Sequence, residues 1–520
     1  MTKLFYGGDI LTMAEPLSPE ALLVEDGKIK ALGNLRELSV MAPNAEMVDL
    51  NGACLMPAFI DPHSHFTSMA NAELQVSLGG AGTVEEMRKR ISAYIAETKP
   101  EKGGWVTARD YDHNIFPNAE HPSLEEIDSL APGYKLIIHH KSGHMGLLNS
   151  EALSSMGIDA NTPDPEGGRY GRKDGKLTGY MEENAFIETM KKVPMAGIEE
   201  LMAAYCRAQD IYASHGITLI QEGMTVEQIL PLYEELLKRD LLKQDVYLYC
   251  DTESVFRVKA LTEKYPGRCH VGGLKIFLDG SPQGRTAWMR EPYEGGDGKY
   301  TGYGTMTDQQ VISAFKFAGE NNFQLLAHCN GDGAAEQFLR CLEIAEKDYP
   351  NLKELRPVII HGQLMGRDQL ERAHALGATV SFFIAHIRHW GDVHVKNFGM
   401  DRAAYISPAA SAMKAGIPIT FHQDSPVLPP DMLETVQISA TRKTSSGVLL
   451  GESEKISVYD ALKALTVNAA YQYFLEDERG SLEAGKVADF QCLSANPLKV
   501  DKEEIENIKL LSLYKEGNLY

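Results

Sequence analysis

The chain has few cysteines and no paired cysteine motif. Its seven cysteines are scattered over 520 residues, and none stands in a Cys-x-x-Cys pair. An odd number without regular spacing is not typical of a disulfide framework or a zinc knuckle. This pattern favours a reducing compartment, and we expect a cytoplasmic protein.

Long hydrophobic runs and an excess of basic residues are also missing. No apolar stretch approaches the roughly 20 residues that a membrane helix needs, and the first residues lack the apolar core of a signal peptide. The formal net charge is −21, which disfavours nucleic acid and membrane surfaces as partners because both attract basic patches. We expect a small-molecule partner, and the sequence leaves a monomer and a homo-oligomer such as a dimer both open.

Several common catalytic motifs are absent. The chain contains neither the Gly-x-Ser-x-Gly elbow of serine hydrolases nor the His-Glu-x-x-His of zincins. Gly79-Gly80-Ala81-Gly82 lacks the third spaced glycine of a dinucleotide-binding loop and follows no convincing strand. These absences argue against all three classes of site.

One short motif is present that suggests metal chemistry. His63 and His65 follow the apolar run Ala53 to Ile60, and side chains two apart on an extended strand point the same way. Ser64 between them would face the opposite side. A single His-x-His is weak evidence, so the interpretation depends on ligands supplied by distant strands.

Four later segments supply such residues. Each is a short apolar strand that carries or ends in a residue able to serve a metal site, and these residues are Lys275, His328, His361 and Asp424. Helical periodicity separates some of the strands, as in 308–320 and 367–376. Strands that alternate with helices predict an α/β barrel, in which the carboxyl ends of the strands carry the chemistry.

Taken together, these motifs resemble the amidohydrolase superfamily of metal-dependent hydrolases, in particular the branch of N-substituted formamide deformylase-like proteins. The ligand order carries the resemblance, together with four family-like strings: Ser142-Gly143-His144 with Asn149-Ser150, Lys275 to Ser281, Arg285-Thr286-Ala287, and Gly480 to Phe490. The combination is specific, whereas each string alone is not. The resemblance implies a TIM-like (β/α)8 barrel with a small β-sandwich built from both chain ends.

The resemblance also implies a binuclear metal centre. His63 and His65 would hold one ion, His328 and His361 the other, and Asp424 would complete the set. Lys275 would react with carbon dioxide to form a carbamate that bridges the two ions, for which zinc is the favoured identity. Two alternatives stay open, namely a single-metal site and a lysine that forms a salt bridge with Asp279 or Glu222.

Five further residues are candidates for substrate binding. His144 belongs to the family-like string, and Arg285 follows the Lys275 strand, where it could bind a carboxylate or carbonyl. His386 and Trp390 lie in an aromatic and cationic loop after the strand 378–383, and His422 shares strand parity with Asp424. Many relatives have Gly-Ser-Asp where this chain has His422-Gln423-Asp424, a departure that leaves the substrate class in doubt.

The distribution of strand and helix patterns along the sequence predicts three domains. Residues 1–55 and 478–520 are β-rich and would form a composite β-sandwich, with a hairpin at Asp26-Gly27. Residues 56–69 and 196–477 would form the metal-binding barrel. Residues 70–195, which include a predicted helix from Val84 to Thr98, would form an inserted subdomain or lid.

The predicted function is hydrolysis of an amide-type C–N bond in a small molecule by a metal-activated hydroxide. Asp424 would act as general base and then as general acid. A metal-dependent deaminase and an ester or lactone hydrolase on the same scaffold remain alternatives. From another class, a catalytically silent binding or assembly protein remains open as well.

Overall fold

The computed structural model describes residues 2–116, 119–141, 145–194, 196–295 and 298–520. The chain divides into two compact units, the first formed by Met1–Ser68 and Ala208–Tyr520, the second by Met69–Arg207. Within the described ranges, no helix is long and apolar enough to span a bilayer.

The strands are numbered along the chain. They are β1 (Thr2–Tyr6), β2 (Asp9–Ile10), β3 (Ala21–Glu25), β4 (Lys28–Gly33), β5 (Glu46–Asp49), β6 (Cys54–Pro57), β7 (Phe59–Ile60), β8 (Gln75–Ser77), β9 (Trp105–Tyr111), β10 (Lys135–His140), β11 (Met145–Leu148), β12 (Gly168–Lys173), β13 (Lys176–Glu183), β14 (Ile217–Thr225), β15 (Asp245–Cys250), β16 (Cys269–Phe277), β17 (Gln324–Cys329), β18 (Val358–His361), β19 (Thr379–Phe382), β20 (Ile419–Phe421), β21 (Phe490–Leu493), β22 (Leu510–Lys515) and β23 (Asn518–Leu519).

The α-helices are numbered in the same way. They are α1 (Leu35–Met41), α2 (Phe66–Ala72), α3 (Val84–Thr98), α4 (Leu124–Asp128), α5 (Ser150–Ser155), α6 (Asn184–Met190), α7 (Ile198–Ser214), α8 (Leu230–Lys238), α9 (Val255–Lys264), α10 (Asp308–Asn321), α11 (Asp332–Glu346), α12 (Arg367–Ala375), α13 (His386–Ala404), α14 (Ala409–Lys414), α15 (Met432–Thr441), α16 (Val458–Ala464) and α17 (Val467–Gln472). Short 3₁₀ turns occur at His113–Ile115, Glu227–Ile229, Pro350–Leu352, Glu452–Glu454 and Ile505–Asn507.

The first unit is built around a parallel sheet of eight strands. Its order is β7-β14-β15-β16-β17-β18-β19-β20, so that strands consecutive along the unit are neighbours in the sheet. Helices such as α10 and α11 connect consecutive strands, which is the connectivity of an α/β barrel of the TIM type. The core includes Ile60, Leu219, Leu326 and Ile360, one from each of four strands.

Several predicted elements are confirmed, and the capping residues of the helices explain where they begin. Helix α3 covers Val84–Thr98 as predicted, because Thr83 caps its first turn by accepting a hydrogen bond from the Glu86 amide. Helix α10 begins at Asp308 after a capping box formed by Thr307 and Gln310.

Two interpretations of the sequence were wrong in detail. The stretch of His386 to Trp390 is not a loop but the start of helix α13, whose N-cap residue, Ala385, offers no side-chain hydrogen bond. The apolar run before Asp61 is not one strand: it splits at Ala58 into β6 and β7, which belong to different sheets. Strand β15 was not predicted.

Two small sheets are built from the ends of the chain, and one of them joins strands from both ends. One has the order β4-β3-β1-β5, and the other, which includes the C-terminal strands, has the order β2-β6-β21-β22-β23. The predicted turn between β3 and β4 is present, with Asp26 at φ 49° and Gly27 at φ 79°, the left-handed values of a type I′ turn. One hydrophobic cluster contains Phe5 and Leu22 from the first sheet together with Leu55 and Phe490 from the second.

The cluster between these sheets supports a stability prediction. Phe490 is fully buried, and its ring lies 4.9 Å from Phe5 and 4.8 Å from Tyr514, between ring centroids. We expect Phe490→Ala to lower the free energy of unfolding by about 3–5 kcal/mol because it leaves a cavity. Leu511→Ala on neighbouring β22, where the side chain is exposed, should change it by less than about 0.5 kcal/mol. Chemical denaturation of both variants checks this, and equal effects would contradict it.

The second unit contains a six-stranded sheet of order β12-β13-β11-β10-β9-β8. Strands β8, β9 and β10 run parallel to one another, whereas β11, β12 and β13 pair antiparallel. Its core includes Val106, Ile138 and Leu147, packed against Met87 and Ile91 of helix α3.

Candidate metal centre and active site

The predicted ligands meet at the carboxyl ends of the barrel strands. In the register of the sheet, Phe277 pairs with His328, Cys329 with His361, and His361 with Phe382. Each of these residues stands at or next to the last position of its strand, so their side chains share one end of the barrel. This is the end where barrel enzymes carry their chemistry.

Asp424 lies between the first two histidines. Its Oδ1 is 3.4 Å from Nε2 of His63 and 3.4 Å from Nε2 of His65. These two histidines lie after the end of β7 and not within a strand. This oxygen is shielded from solvent and makes no hydrogen bond among the described residues. Burial by itself would raise the pKa of Asp424, but the imidazoles of His65, His361 and His63 outweigh it and hold the pKa well below its usual range.

His63 is oriented by a buried glutamine that the sequence analysis missed. Its Nδ1 lies 2.6 Å from Oε1 of Gln221, so the ring donates from Nδ1 and keeps a lone pair on Nε2. The amide group of Gln221 is fixed in turn, because its Nε2 donates to the Pro62 carbonyl at 2.7 Å and to the Tyr473 hydroxyl at 2.9 Å. Burial lowers the pKa of His63 well below its ordinary value, so the ring is neutral.

His361 is oriented by a second histidine. Its Nδ1 is 3.1 Å from Nε2 of His422, whose Nδ1 is 2.8 Å from the Ser381 hydroxyl. Proton donation from His361 to His422 and from His422 to Ser381 leaves Nε2 of His361 with a lone pair. Burial holds the pKa of His361 well below its ordinary value and lowers that of His422 to about 3.

His328 is oriented by Asp279. Its Nδ1 is 3.2 Å from Asp279 Oδ1, and the amides of Asn330, Gly331 and Trp288 also donate to this carboxylate. Asn330 Nδ2 lies 3.3 Å from Nε2 of His328. The carboxylate of Asp279 therefore binds a histidine and three backbone amides. It does not form the ion pair with Lys275 that was the predicted alternative.

Glu222 and Gly223 define the space around His65. Nδ1 of His65 lies 4.0 Å from Oε1 of Glu222, while Oε2 accepts hydrogen bonds from the Thr67 amide and the Tyr233 hydroxyl. A Cβ at Gly223 would lie 2.8 Å from Cε1 of His63 and 2.9 Å from Cε1 of His65. Only glycine leaves both rings in place.

Lys275 is almost fully buried in this cluster, at 2% exposure. Its Nζ lies 3.3 Å from Nε2 of His63. Burial lowers the pKa of Lys275 to about 7, so near neutral pH a large part of the amine carries no charge. An uncharged amine in this position can act as a nucleophile, and it does not repel a cation as a protonated amine would.

This pKa predicts how the stability of metal-free, bicarbonate-free protein varies with pH. Between about pH 7 and 10.5 the unfolded chain binds a proton on Lys275 that the folded chain does not, so stability falls as the pH is lowered across that window. Lys275→Met should remove about 1.4 kcal/mol per pH unit from the slope. Denaturation of both proteins at a series of pH values measures the difference, and parallel curves would contradict it.

The predicted substrate-binding residues have varied surroundings. His386 is buried on α13, with its ring 4.6 Å from Trp390 and 4.6 Å from Phe383, between centroids. Arg285 Nε donates to Asn397 Oδ1 at 2.9 Å. His422 is fully buried and lies between His361 and Ser381, where it orients the ring of His361. His144 lies outside the described residues.

Three cooperating residues were therefore missed or given another role, namely Gln221, Asp279 and Gly223. Gln221 and Gly223 stand near the end of β14, a position that could have signalled them. What each contacts depends on strands far away in sequence. His361 (φ 76°) and Asp424 (φ 54°) also occupy the left-handed backbone region, a strain that clusters at functional sites.

The chain is similar to known proteins over nearly its whole length. A family described as "Amidohydrolase family" matches residues 46–520. The amidohydrolase YtcJ of Bacillus subtilis is 27% identical, with 100% of this chain and 99% of the relative covered. The N-substituted formamide deformylase of Arthrobacter pascens is 24% identical over 96% of this chain and 94% of the relative. An uncharacterized metal-dependent hydrolase from Pyrococcus horikoshii superposes with a TM-score of 0.77 and 24% identity, covering 96% of this chain and 99% of its own.

Proposed function

Because the chain belongs to the amidohydrolase family, and is on that ground an enzyme acting on carbon–nitrogen bonds, we propose that it hydrolyses an amide-type bond of a small molecule at this centre. The observation that carries the proposal is the convergence of His63, His361 and Asp424, whose donor atoms all lie within 4.8 Å of one another. We further propose that the centre holds two divalent ions, with zinc as the favoured identity, bridged by a carboxylated Lys275.

The donor set fits divalent ions. His63, His328 and His361 each present Nδ1 to a protein acceptor, which is how metal-binding histidines are commonly oriented. The orphaned Oδ1 of Asp424 would gain a partner that the protein itself does not supply. His63, His65, His328, His361, Asp424 and the modified Lys275 would hold the ions. Such ions polarise a carbonyl and lower the pKa of water at the site.

The residues of the chain then divide the remaining work. Asp424, ionised because the surrounding imidazoles keep its pKa low, accepts a proton from the attacking water on the carboxylate oxygen that does not hold an ion, and returns it to the leaving nitrogen. Gln221, His422 and Asp279 prevent the three rings from turning away. The face made by Phe383, His386 and Trp390 is the proposed wall for the group attached to the reacting bond.

The substrate is best sought among N-formyl and N-acyl amines. A relative bearing the name N-substituted formamide deformylase makes N-formyl amines the first compounds of the panel, followed by N-acetyl and cyclic amides. Release of a primary amine together with a carboxylate supports the proposal. Release of ammonia alone would favour a deaminase, and turnover of esters or lactones only would favour that alternative.

Metal analysis separates an enzyme from a silent scaffold. We expect protein prepared without chelators to contain divalent ions in stoichiometric amount, and His63→Ala to lose both ions and turnover. His270→Ala is the matched control, since this histidine is partly exposed and its nearest acidic group is Asp245 at 3.7 Å. A protein without bound metal, or one whose function is unchanged by His63→Ala, would contradict the proposal.

We also propose that residues 1–55 and 478–520 act as one composite β-sandwich domain, and that 70–195 is an inserted subdomain. The shared cluster around Phe5 and Phe490 supports the first assignment. The separation of Met69–Arg207 as a compact unit supports the second.

A further inference from the structure

A second group of metal-type ligands lies in the second unit, which contributes none of the described ligands of the centre above. Within the described residues, Asp112, His113 and His140 have donor atoms within 4.8 Å of one another. Asp112 follows strand β9, His113 begins the 3₁₀ turn His113–Ile115, and His140 is the last residue of β10. Parallel pairing of β9 with β10 sets Tyr111 opposite His140 and brings these ends together.

The spacing of the donor atoms suits a small cation. Nδ1 of His113 is 3.1 Å from Nε2 of His140, and that Nε2 is 3.7 Å from Oδ1 of Asp112. In tetrahedral zinc sites, neighbouring nitrogen and oxygen ligands lie about 3.4 Å apart, given bonds of about 2.0–2.1 Å. The three donors could therefore bind such an ion with little movement.

The burial and hydrogen bonding of the ligands also suit a cation. Asp112 is 7% exposed. Its carboxylate accepts hydrogen bonds from the backbone and side-chain amides of Asn114 and forms an ion pair with Lys141. His140 is 6% exposed, so the carboxylate and this imidazole both lie largely out of contact with solvent.

A third imidazole lies close to the pair. The ring of His121 stacks on that of His113 at 4.4 Å between centroids, with the planes 25° apart. Its Nδ1 is held 3.1 Å from the Tyr111 hydroxyl. Packing of three histidines against one carboxylate is costly if the rings are charged and favourable if they surround a metal ion.

We propose that Asp112, His113 and His140 form a second binding site for a divalent transition metal of the zinc type, with His121 as a nearby ring that restricts its geometry. Imidazole nitrogens with one carboxylate oxygen select zinc, copper or nickel over magnesium or calcium. The bound ion would join the end of β9 to the end of β10 and fix the 3₁₀ turn. We assign this ion a structural role within the second unit, because none of the described residues with a part in the proposed reaction lies there.

Lys141 gives the proposal a distinctive signature. Its Nζ forms an ion pair with Oδ2 of Asp112, and its side chain is 58% exposed, so it can leave the carboxylate without disturbing the core. A neighbouring ammonium repels a cation. Replacement of this lysine should therefore strengthen metal binding. If the cluster were instead held together only by the ion pair, the same replacement would weaken it.

The test is a zinc titration of metal-free full-length protein in competition with a chromophoric chelator. We expect His113→Ala/His140→Ala to bind one equivalent of zinc fewer than the unmodified protein. His139→Ala is the control, because the ring of this neighbouring histidine packs on Phe186 and it should leave the stoichiometry unchanged. Equal stoichiometry in the double variant and the unmodified protein overturns the proposal.

A second measurement guards against a variant that does not fold. His113 lies on a short turn and is only half-buried, so the single variant His113→Ala should fold and bind zinc at this site about tenfold more weakly or worse. Lys141→Ala should bind it several-fold more tightly. A Lys141→Ala protein with unchanged or weaker zinc affinity at this site overturns the proposal, as does a His113→Ala protein with unchanged affinity.

Discussion

Asp424→Asn should abolish turnover while leaving the fold intact. The substitution keeps the size of the side chain but removes its ability to accept a proton, and a positioned general base contributes about 10²–10⁴-fold to rate. We expect kcat to fall by about a thousandfold, measured as amine release from the best substrate of the N-acyl panel. Because asparagine has no carboxyl group that could ionise, raising the pH should not restore activity.

A loss of metal has to be separated from a loss of the base. The amide that Asp424→Asn introduces remains a weaker oxygen donor, so metal content must be measured on the same samples and restored by reconstitution. Asp489→Asn is not a suitable control, since Asp489 is tied to Lys515 and Arg479. Asp251→Asn serves better, because this aspartate caps the turn before α9 through the Glu253 and Ser254 amides. A fully metallated Asp424→Asn enzyme that keeps most of its kcat would contradict the assignment.

Lys275→Ala should remove both bound metal and activity, and a short carboxylate such as propionate should restore part of each. In the proposed modification, the neutral Nζ attacks the carbon of carbon dioxide, an N–C bond forms and one proton is released, which gives a carbamate with two oxygens. Without this ligand, we expect kcat to fall by about a thousandfold, the equivalent of about 4 kcal/mol of transition-state stabilisation. An added carboxylate can occupy the space left by the shortened side chain.

Lys275→Arg is the matched control for the rescue. Its guanidinium stays charged, cannot form a carbamate and fills the space, so propionate should not restore activity. Labelling the unmodified enzyme with carbon-13 bicarbonate should give a carbamate resonance that both variants lack. The absence of that resonance together with undiminished metal binding in Lys275→Ala would instead establish the single-metal alternative.

The sequence predicted those features that depend on local pattern. The helix Val84–Thr98 has its cap residue beside it, and the strands that carry His328 and His361 near or at their ends are short apolar runs with clear limits. The six ligand positions followed from a family resemblance combined with the rule that barrel strands present chemistry at their carboxyl ends. Their actual convergence, such as 3.4 Å between Asp424 and both first-pair histidines, needed the structure.

The features that were not predicted depend on tertiary contacts. Gln221 holds His63 across 158 positions of sequence, and no pattern within β14 indicates which ring it contacts. Helix α13 begins without a side-chain cap, so its first turn resembled a loop. The break at Ala58 lies inside an unbroken apolar run, and only the strands that pair on either side of it reveal the change of sheet.

That break at Ala58 has a consequence for any attempt to excise a minimal catalytic fragment. The Ala58 amide donates to the Asp489 carbonyl, whereas the next amide, that of Phe59, donates to the Gly216 carbonyl of the barrel. The backbone thus passes from one sheet to the other within a single peptide, five residues before His63. Truncations that delete only the last strands should disturb the first two proposed metal ligands, although those strands contribute no group to the proposed reaction.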